Sequence, residues 1–313
     1  TIIQIERSLN RWDDFNKNVN YKEFCEQATL DFKHKLQGEV DNNKLKPGTA
    51  KSILRNLHKF FHWLRLNTGY KSKVKPLIIN ILKPTRKLNI QINNQSDKIY
   101  PTLQQVKKIY DSIEVNTIID ERDRVIFSVL LLTGIRIEAL STLRLDCFNL
   151  ETLTIDQDPR KGVKTKFGKR IKTTILKFDE KLSTNIIDWY KKLIDMGYGL
   201  QDPFIPGVES NRFEGLCFMN SVELNKKFIS QGRLRQIIKN HCEKVGYLDF
   251  TPHSFRHAHI ALAGKLAKTA EDIKAISMNI GHKDIATTFN CYGHLTQSQI
   301  ESTISHLNNK INF

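Results

Sequence analysis

Within residues 46–64 the apolar positions Ile53, Leu54, Leu57, Phe60, Phe61 and Leu64 recur at the helical period and form one continuous stripe. Arg55, Lys59 and Arg65 fall off that stripe, where a helix meets solvent or phosphate. Residues 21–36 also read as helix, and no strand signal appears in the first 80 residues, so a small helical bundle is expected there. From Leu82 through Pro84, Asn93, Asn94 and Ser96 to Pro101 the period is lost, which reads as a linker with a boundary near residue 95.

Beyond it Thr102 can cap a helix carrying Leu103, Val106, Ile109, Tyr110 and Ile113. A buried helix over residues 120–132 is stopped by Gly134, and another begins near Arg136 with Ile137, Leu140 and Leu143 inward. Residues 153–155 and 171–176 read as strands, with Gly162 and Gly168 as turn formers between them. Helical patterns resume over 185–196 and 232–245. The fold class expected is mainly α. It comprises a helical bundle over residues 1–90, a linker over 91–101, and a mostly helical domain with a small β-sheet or hairpin over 102–313.

Composition narrows the function. Forty per cent apolar residues and 17 Phe suffice for two cores, so a disordered chain is excluded. The longest apolar run, 125–132, is interrupted by Ser128 and is too short to span a bilayer, so no membrane partner is expected. The first residues lack the charged start and long apolar stretch of a signal peptide, and opening on Thr1 rather than Met is expected of a fragment. Five scattered cysteines without a Cys-x-x-Cys pair argue against a disulfide framework or thiolate zinc site and for a reducing cytoplasm.

The net charge of +16 is concentrated in two places. Residues 51–100 hold 11 Lys and Arg against one acid, and residues 160–177 hold eight and no acid. Two basic stretches about a hundred residues apart predict two surfaces facing one polyanion, with Arg55, Lys59, Lys71, Lys73, Lys75, Lys164 and Lys169 as contacts.

Three clusters carry candidate chemistry. In Thr251-Pro252-His253-Ser254-Phe255-Arg256-His257 a cap and a first-turn proline start a helix, putting His253 and Arg256 on one face at its positively polarised end. A zinc reading through His253, His257 and His259 lacks the glutamate of His-Glu-x-x-His. In Thr133-Gly134-Ile135-Arg136 an arginine follows a glycine turn at the start of an apolar helix. Burial there demands an internal carboxylate or a bound phosphate. The third cluster runs from Gly281-His282 through Asp284, a helix cap, and Thr287-Thr288 to Cys291-Tyr292-Gly293.

Together these clusters, in this order, resemble the tyrosine recombinase (phage integrase) family over about residues 100–295, and the first 80 residues look like that family's helical core-binding domain. The resemblance implies that Arg136, His253, Arg256, His282 and Tyr292 occupy active-site positions. It also places a catalytic lysine on the strand-turn-strand between the arginine motifs. Lys166 is the choice there, with Lys164 and Lys169 as rivals. Two departures stand out: the acid usually found three residues after the first Arg is Ala139 here, with Glu138 beside it, and Cys291 stands where the nucleophile usually stands.

The set is chemically coherent. Tyr supplies a nucleophile whose phosphotyrosine ester conserves the bond energy, so no ATP is needed. Two permanently charged arginines clamp nonbridging oxygens in place of a metal, so no cofactor is expected. The expected function is site-specific DNA recombination for a mobile element, bacterial or phage, acting in the cytoplasm at the nucleoid. The expected partners are double-stranded DNA, three further copies in a synaptic homotetramer, and accessory recombination proteins. An amphipathic tail, residues 300–311, is a candidate for packing on a neighbouring copy or on its own domain. The rival readings are a type IB topoisomerase-like enzyme and a DNA-binding module that has lost catalysis.

Overall fold

Hydroxyl and carboxylate side chains start the helices of the second half of the chain: Thr102, Thr117, Asp179, Ser230, Thr251 and Thr269 each accept a hydrogen bond from a backbone N–H in the first turn. In the computed structural model, which describes residues 2–93, 99–209, 223–282, 284–292, 301, 304 and 305, the chain divides into two compact units, Thr1–Asp97 and Lys98–Phe313.

The first unit is built from α1 (Ile2–Phe15), α2 (Glu26–Asp41), α3 (Pro47–Leu64), α4 (Pro76–Ile81) and α5 (Arg86–Asn93). The apolar stripe of α3 is its spine: Ile53, Leu54, Leu57, Phe61 and Leu64 are buried, with Phe60 at the margin. Phe24 stacks on Phe61 at 4.1 Å, and Trp12 meets Phe32 and Phe61 edge-on at 5.1 and 5.3 Å. Arg55, Lys59, Lys71, Lys73 and Lys75 are all exposed.

Part of the stretch that reads as linker is helical instead. Thr85 Oγ1 accepts from the Leu88 N–H at 3.1 Å and starts α5, which buries Leu88 and packs Ile92 on the same core. The cue is short, two apolar residues one turn apart after Pro84-Thr85, and the surrounding Asn and Lys residues mask it.

The second unit contains α6 (Leu103–Asp111), α7 (Ile118–Thr133), α8 (Ile137–Leu140), α9 (Glu180–Asp195), α10 (Gln231–Lys244), α11 (Pro252–Leu266), α12 (Ala270–Asn279) and α13 (Ile285–Tyr292). Helix α7 is its centre, buried from Val125 to Thr133, with α9 and α11 packed against it. Strands β1 (Phe148–Asn149), β2 (Thr154–Gln157) and β3 (Ile171–Thr174) make an antiparallel sheet in that order, with Thr154 opposite Thr174 and Gln157 opposite Ile171. The sequence pattern does not foretell β4 (Pro206–Glu209) and β5 (Glu223–Phe228), a separate antiparallel ribbon. Asn225, Lys226 and Lys227 give β5 almost no apolar alternation to recognise. The fold is thus mainly helical with small sheets, as expected. Most of the tail, residues 300–311, lies outside the described residues.

Candidate active site

The site is assembled at the C-terminal end of α7, where a helix leaves its last carbonyls without intrahelical partners. The carbonyls of Leu130, Leu131 and Leu132 all find donors here. Gly134, left-handed at φ +58, turns the chain back so that its N–H donates to the Leu130 carbonyl at 3.1 Å. His259 Nδ1 lies 2.8 Å from the Leu131 carbonyl, and the Leu176 N–H donates to the Leu132 carbonyl at 2.9 Å. Arg256 Nη1 donates to the Gly134 carbonyl at 2.6 Å, placing a cation at the negative end of the helix dipole. Glycine is required at 134 for space as well as for its φ: a Cβ there would lie 2.8 Å from the His259 ring.

Arg256 is 2 % exposed and also donates to the Ile280 carbonyl at 2.7 Å, so it ties α7, α11 and the segment after α12 together. Arg136, at the N-cap of α8, is half-buried. Burial pulls its pKa down, and the charge of exposed Glu138 opposes that. Glu138 therefore acts on Arg136 electrostatically but makes no salt bridge with it among the described residues.

His282 is the point where these groups meet. It is half-buried, and its Nδ1 lies 2.8 Å from Thr288 Oγ1 on α13. Burial foremost, then Arg256, Arg136, His257 and His253, push its pKa down to about 3, so the ring is neutral at physiological pH. The side-chain charges that act on it are those of two arginines and two histidines. His253, exposed in the first turn of α11, packs against His257 with ring centroids 4.5 Å apart. His259 of α11, completely buried against α7, has its pKa driven down to about 4 by burial, which the Leu131 bond opposes and Arg256 reinforces.

The basic hairpin is joined to the same place. Asn279, the last residue of α12, pairs with β3 as another strand would: its Oδ1 accepts from the Thr174 N–H at 2.6 Å and its Nδ2 donates to the Thr174 carbonyl at 3.0 Å. Thr173 Oγ1 donates to the Asn279 carbonyl at 2.7 Å. Two residues on, Gly281 at φ +70 lies against Ile171 of β3 so closely that a Cβ would come within 2.4 Å of Ile171 Cδ1. The turn's other arm is pinned to the end of α8, where the Lys164 N–H donates to Thr142 Oγ1 at 2.9 Å.

Not all the charge of residues 160–177 is presented outward. Arg160 pairs with Asp158 at 2.6 Å, Arg170 with Asp156 at 2.7 Å, and Lys161 reaches Asp146 at 3.6 Å. Hydrogen bonds from these arginines hold Asp158 and Asp156 below the usual carboxylate range. Lys164, Lys166 and Lys169 are exposed around the turn with no acidic partner among the described residues.

The structure thus brings Arg136, His253, Arg256 and His282 together, and it adds His257 and Thr288, which sequence reasoning did not assign to this role. The backbone of Tyr292 ends α13, which Asp284 starts by accepting from the Ala286 N–H at 2.9 Å. The side chains of Cys291 and Tyr292 lie outside the described residues, as does Gly293. Lys166 stands on the turn with its ammonium 5.2 Å from the Phe167 ring centroid.

A mainly helical domain with a cationic site at one helix end and a lysine-bearing hairpin tied to it is the architecture of an enzyme that acts on phosphodiesters. The sequence model of the phage integrase family matches residues 101–299. The chain therefore belongs to the phage integrase family, enzymes that cleave and rejoin DNA. It is 25 % identical over 307 residues to the tyrosine recombinase XerD of Staphylococcus saprophyticus, a match covering 96 % of this chain and 89 % of that protein. The XerD of Staphylococcus aureus is 24 % identical over 305 residues, covering 96 % and 89 %. Among solved structures, the Tn1549 transposon integrase in complex with transposon right end DNA shares the fold at a TM-score of 0.62 and 16 % identity, covering 98 % of this chain and 93 % of that one. The XerH site-specific recombinase in a post-cleavage complex with a palindromic difH substrate does so at 0.61 and 18 %, covering 92 % and 72 %.

Proposed function

We propose that this chain is a site-specific recombinase that opens one DNA strand through Tyr292 and passes it to a second duplex, in the integration or transposition of a mobile element. The observation that carries the reading is the convergence of Arg256, Arg136, His257 and His253 on His282, which together with burial lower its pKa. Two arginines and two histidines gathered at one point suit a scissile phosphate.

The Tyr292 oxygen attacks phosphorus, its proton passing to His253, and the bond to the 5′ oxygen breaks as that oxygen takes a proton from Lys166. A 3′-phosphotyrosyl bond replaces the broken one, and attack by another strand's 5′ hydroxyl reverses the step with no net change in bonds. Arg136 and Arg256 stabilise the nonbridging oxygens. With Nδ1 accepting from the Thr288 hydroxyl, neutral His282 carries its proton on Nε2 and donates it to the phosphate. Lys164 is the second reading for the general acid, favoured by its anchored backbone.

Double-stranded DNA is the substrate, bound along the exposed lysines of both basic stretches. A tetramer on two paired sites, accessory recombination proteins and action in the cytoplasm belong to the same proposal. The test is trapping on a nicked duplex bearing the element's end sequence, in excess EDTA. Wild type should form a covalent adduct on the peptide containing Tyr292. Tyr292→Phe should bind the DNA and form none, and Cys291→Ala should cleave normally. A substrate with sulfur at the 5′ leaving position should rescue Lys166→Ala, because a thiolate leaves without a proton. Rescue of Lys164→Ala instead reassigns the acid. An adduct on Cys291, or cleavage lost in EDTA and restored by magnesium, overturns the reading. Relaxation of any supercoiled plasmid without site preference favours a topoisomerase-like enzyme. Binding with no adduct leaves a module that has lost catalysis.

A further inference from the structure

The turn between β2 and β3 presents an apolar ring where a polar residue is the ordinary choice. Phe167 is 89 % exposed, and its backbone sits at φ +64, ψ 20, the left-handed region that a bulky side chain enters only under strain. Gly168 follows at φ +63. Glycine or asparagine at 167 would adopt that geometry more readily and expose no apolar ring to water. Neither folding nor solubility accounts for a phenylalanine there. Strain of this kind, held in place by the surrounding structure, points to a role for the side chain.

The surroundings are rigid and cationic. Thr165 Oγ1 donates to the Lys169 carbonyl at 2.7 Å and the Gly168 N–H donates to the Thr165 carbonyl at 3.2 Å, closing the turn. Behind it, Lys164 is fixed to Thr142 and Thr174 to Asn279. The Lys166 ammonium lies 5.2 Å from the ring centroid, and Lys164 and Lys169 are exposed on the same turn. An apolar ring on a braced, lysine-bearing tip matches a duplex groove, where phosphates line the rims, base edges form the floor and a wedge can slip between two stacked base pairs.

We propose that Phe167 is a wedge that enters the minor groove beside the scissile phosphate and partly unstacks one base step, while Lys164 and Lys169 rest on the flanking phosphates and Lys166 faces the scissile one. The inference rests on the recombinase reading, since it places the wedge next to the phosphate cleaved. It assigns Phe167 a positioning role: opening the step bends the duplex and presents the phosphate to the arginines.

The test uses full-length protein carrying Tyr292→Phe, so that DNA is bound and not cut, on duplexes with 2-aminopurine placed at each position around the scissile bond. Fluorescence should rise at one step when the protein binds. The rise should disappear with Phe167→Gly and persist with Phe167→Trp. Phe167→Gly should also weaken binding by about 5- to 100-fold, the loss typical of removing one aromatic–base stack. Because glycine relieves the backbone strain, that variant should melt no lower than its parent, so lost binding cannot be put down to misfolding. Silent 2-aminopurine at every position, or undiminished affinity of Phe167→Gly, overturns the proposal. So does a lower melting temperature, which would make the ring a structural brace, or a Phe167-dependent self-association without DNA, which would make it a contact between copies. Failure of the recombinase reading is seen separately, as absence of the covalent adduct with wild-type protein on the nicked duplex.

Discussion

Arg256 and Arg136 sit on either side of the same glycine turn and yet are held in opposite ways. Arg256 is buried, with two of its nitrogens committed to the carbonyls of Gly134 and Ile280. Arg136 is half-buried, under desolvation that only the charge of exposed Glu138 opposes. One guanidinium is a structural tie that also projects positive field into the site. The other has been moved partly out of water with little from the protein in return, which leaves its hydrogen-bonding capacity for a ligand. A pair of arginines that looks equivalent in a motif is therefore held unequally, one fastened to two backbone carbonyls and the other, among the described residues, not.

Replacing each by methionine, which keeps the apolar bulk and removes the charge, gives the sharpest separation. Arg256→Met should lower unfolding free energy by about 3 kcal/mol or more, since two buried carbonyls lose charged donors. Arg136→Met should stay within about 0.5 kcal/mol of wild type or rise above it, because a partly desolvated cation is removed. Both should cut covalent adduct formation by about 100-fold or more. Denaturant melts and adduct assays on the same preparations check this, and equal destabilisation by the two changes would erase the distinction.

Acid probes the support beneath Arg256. His259 and His282 have pKa values lowered from 6.5 to about 4 and about 3, so both are neutral in the folded protein where the unfolded chain protonates them. Stability contributed by their neutral forms is present above pH 6.5 and is lost as pH falls toward those lower values. Each histidine contributes a slope of at most about 1.4 kcal/mol per pH unit. His259→Asn keeps a donor for the Leu131 carbonyl without that titration and should flatten the pH dependence between 6.5 and about 4. An unchanged slope in urea melts taken at several pH values would remove His259 from the account.

The smallest effect is expected at Asn279, which touches neither arginine. Asn279→Ala should slow adduct formation by about tenfold at a stability cost of about 1–2 kcal/mol, as two backbone hydrogen bonds to β3 are lost. Arg136 should then remain as sensitive to substitution as before. If Asn279→Ala cleaves at the wild-type rate, the hairpin is positioned by the ties that remain: the Ile171–Gly281 contact, the Thr173 hydroxyl on the 279 carbonyl and Lys164 on Thr142.

What could be read from the sequence were the local events. Thr102 and Thr251 start helices within the three residues that follow them, Gly134 ends one in place, and the α3 stripe faces inward. The glycine-arginine and histidine-arginine motifs were legible for the same reason. The contacts that turn them into a site join residues more than a hundred positions apart, as with Asn279 and Thr174 or Arg256 and Gly134. No period or spacing encodes such pairs. Charge was over-read in the second basic stretch because two acids lie just outside the window: Asp158 pairs locally with Arg160, and Asp156 reaches Arg170 only once β2 and β3 pair.

The amide of Asn279 has one more consequence, for how copies of the protein meet. β3 is the last strand of its sheet, and an uncovered last strand is a template on which another chain can add its own. At Thr174 that template is already filled, donor and acceptor both, by a side chain from the same molecule. A strand from another chain therefore finds neither donor nor acceptor open at Thr174. A single uncharged residue at a helix end thus closes one position of a sheet edge that lysines alone would otherwise have to protect.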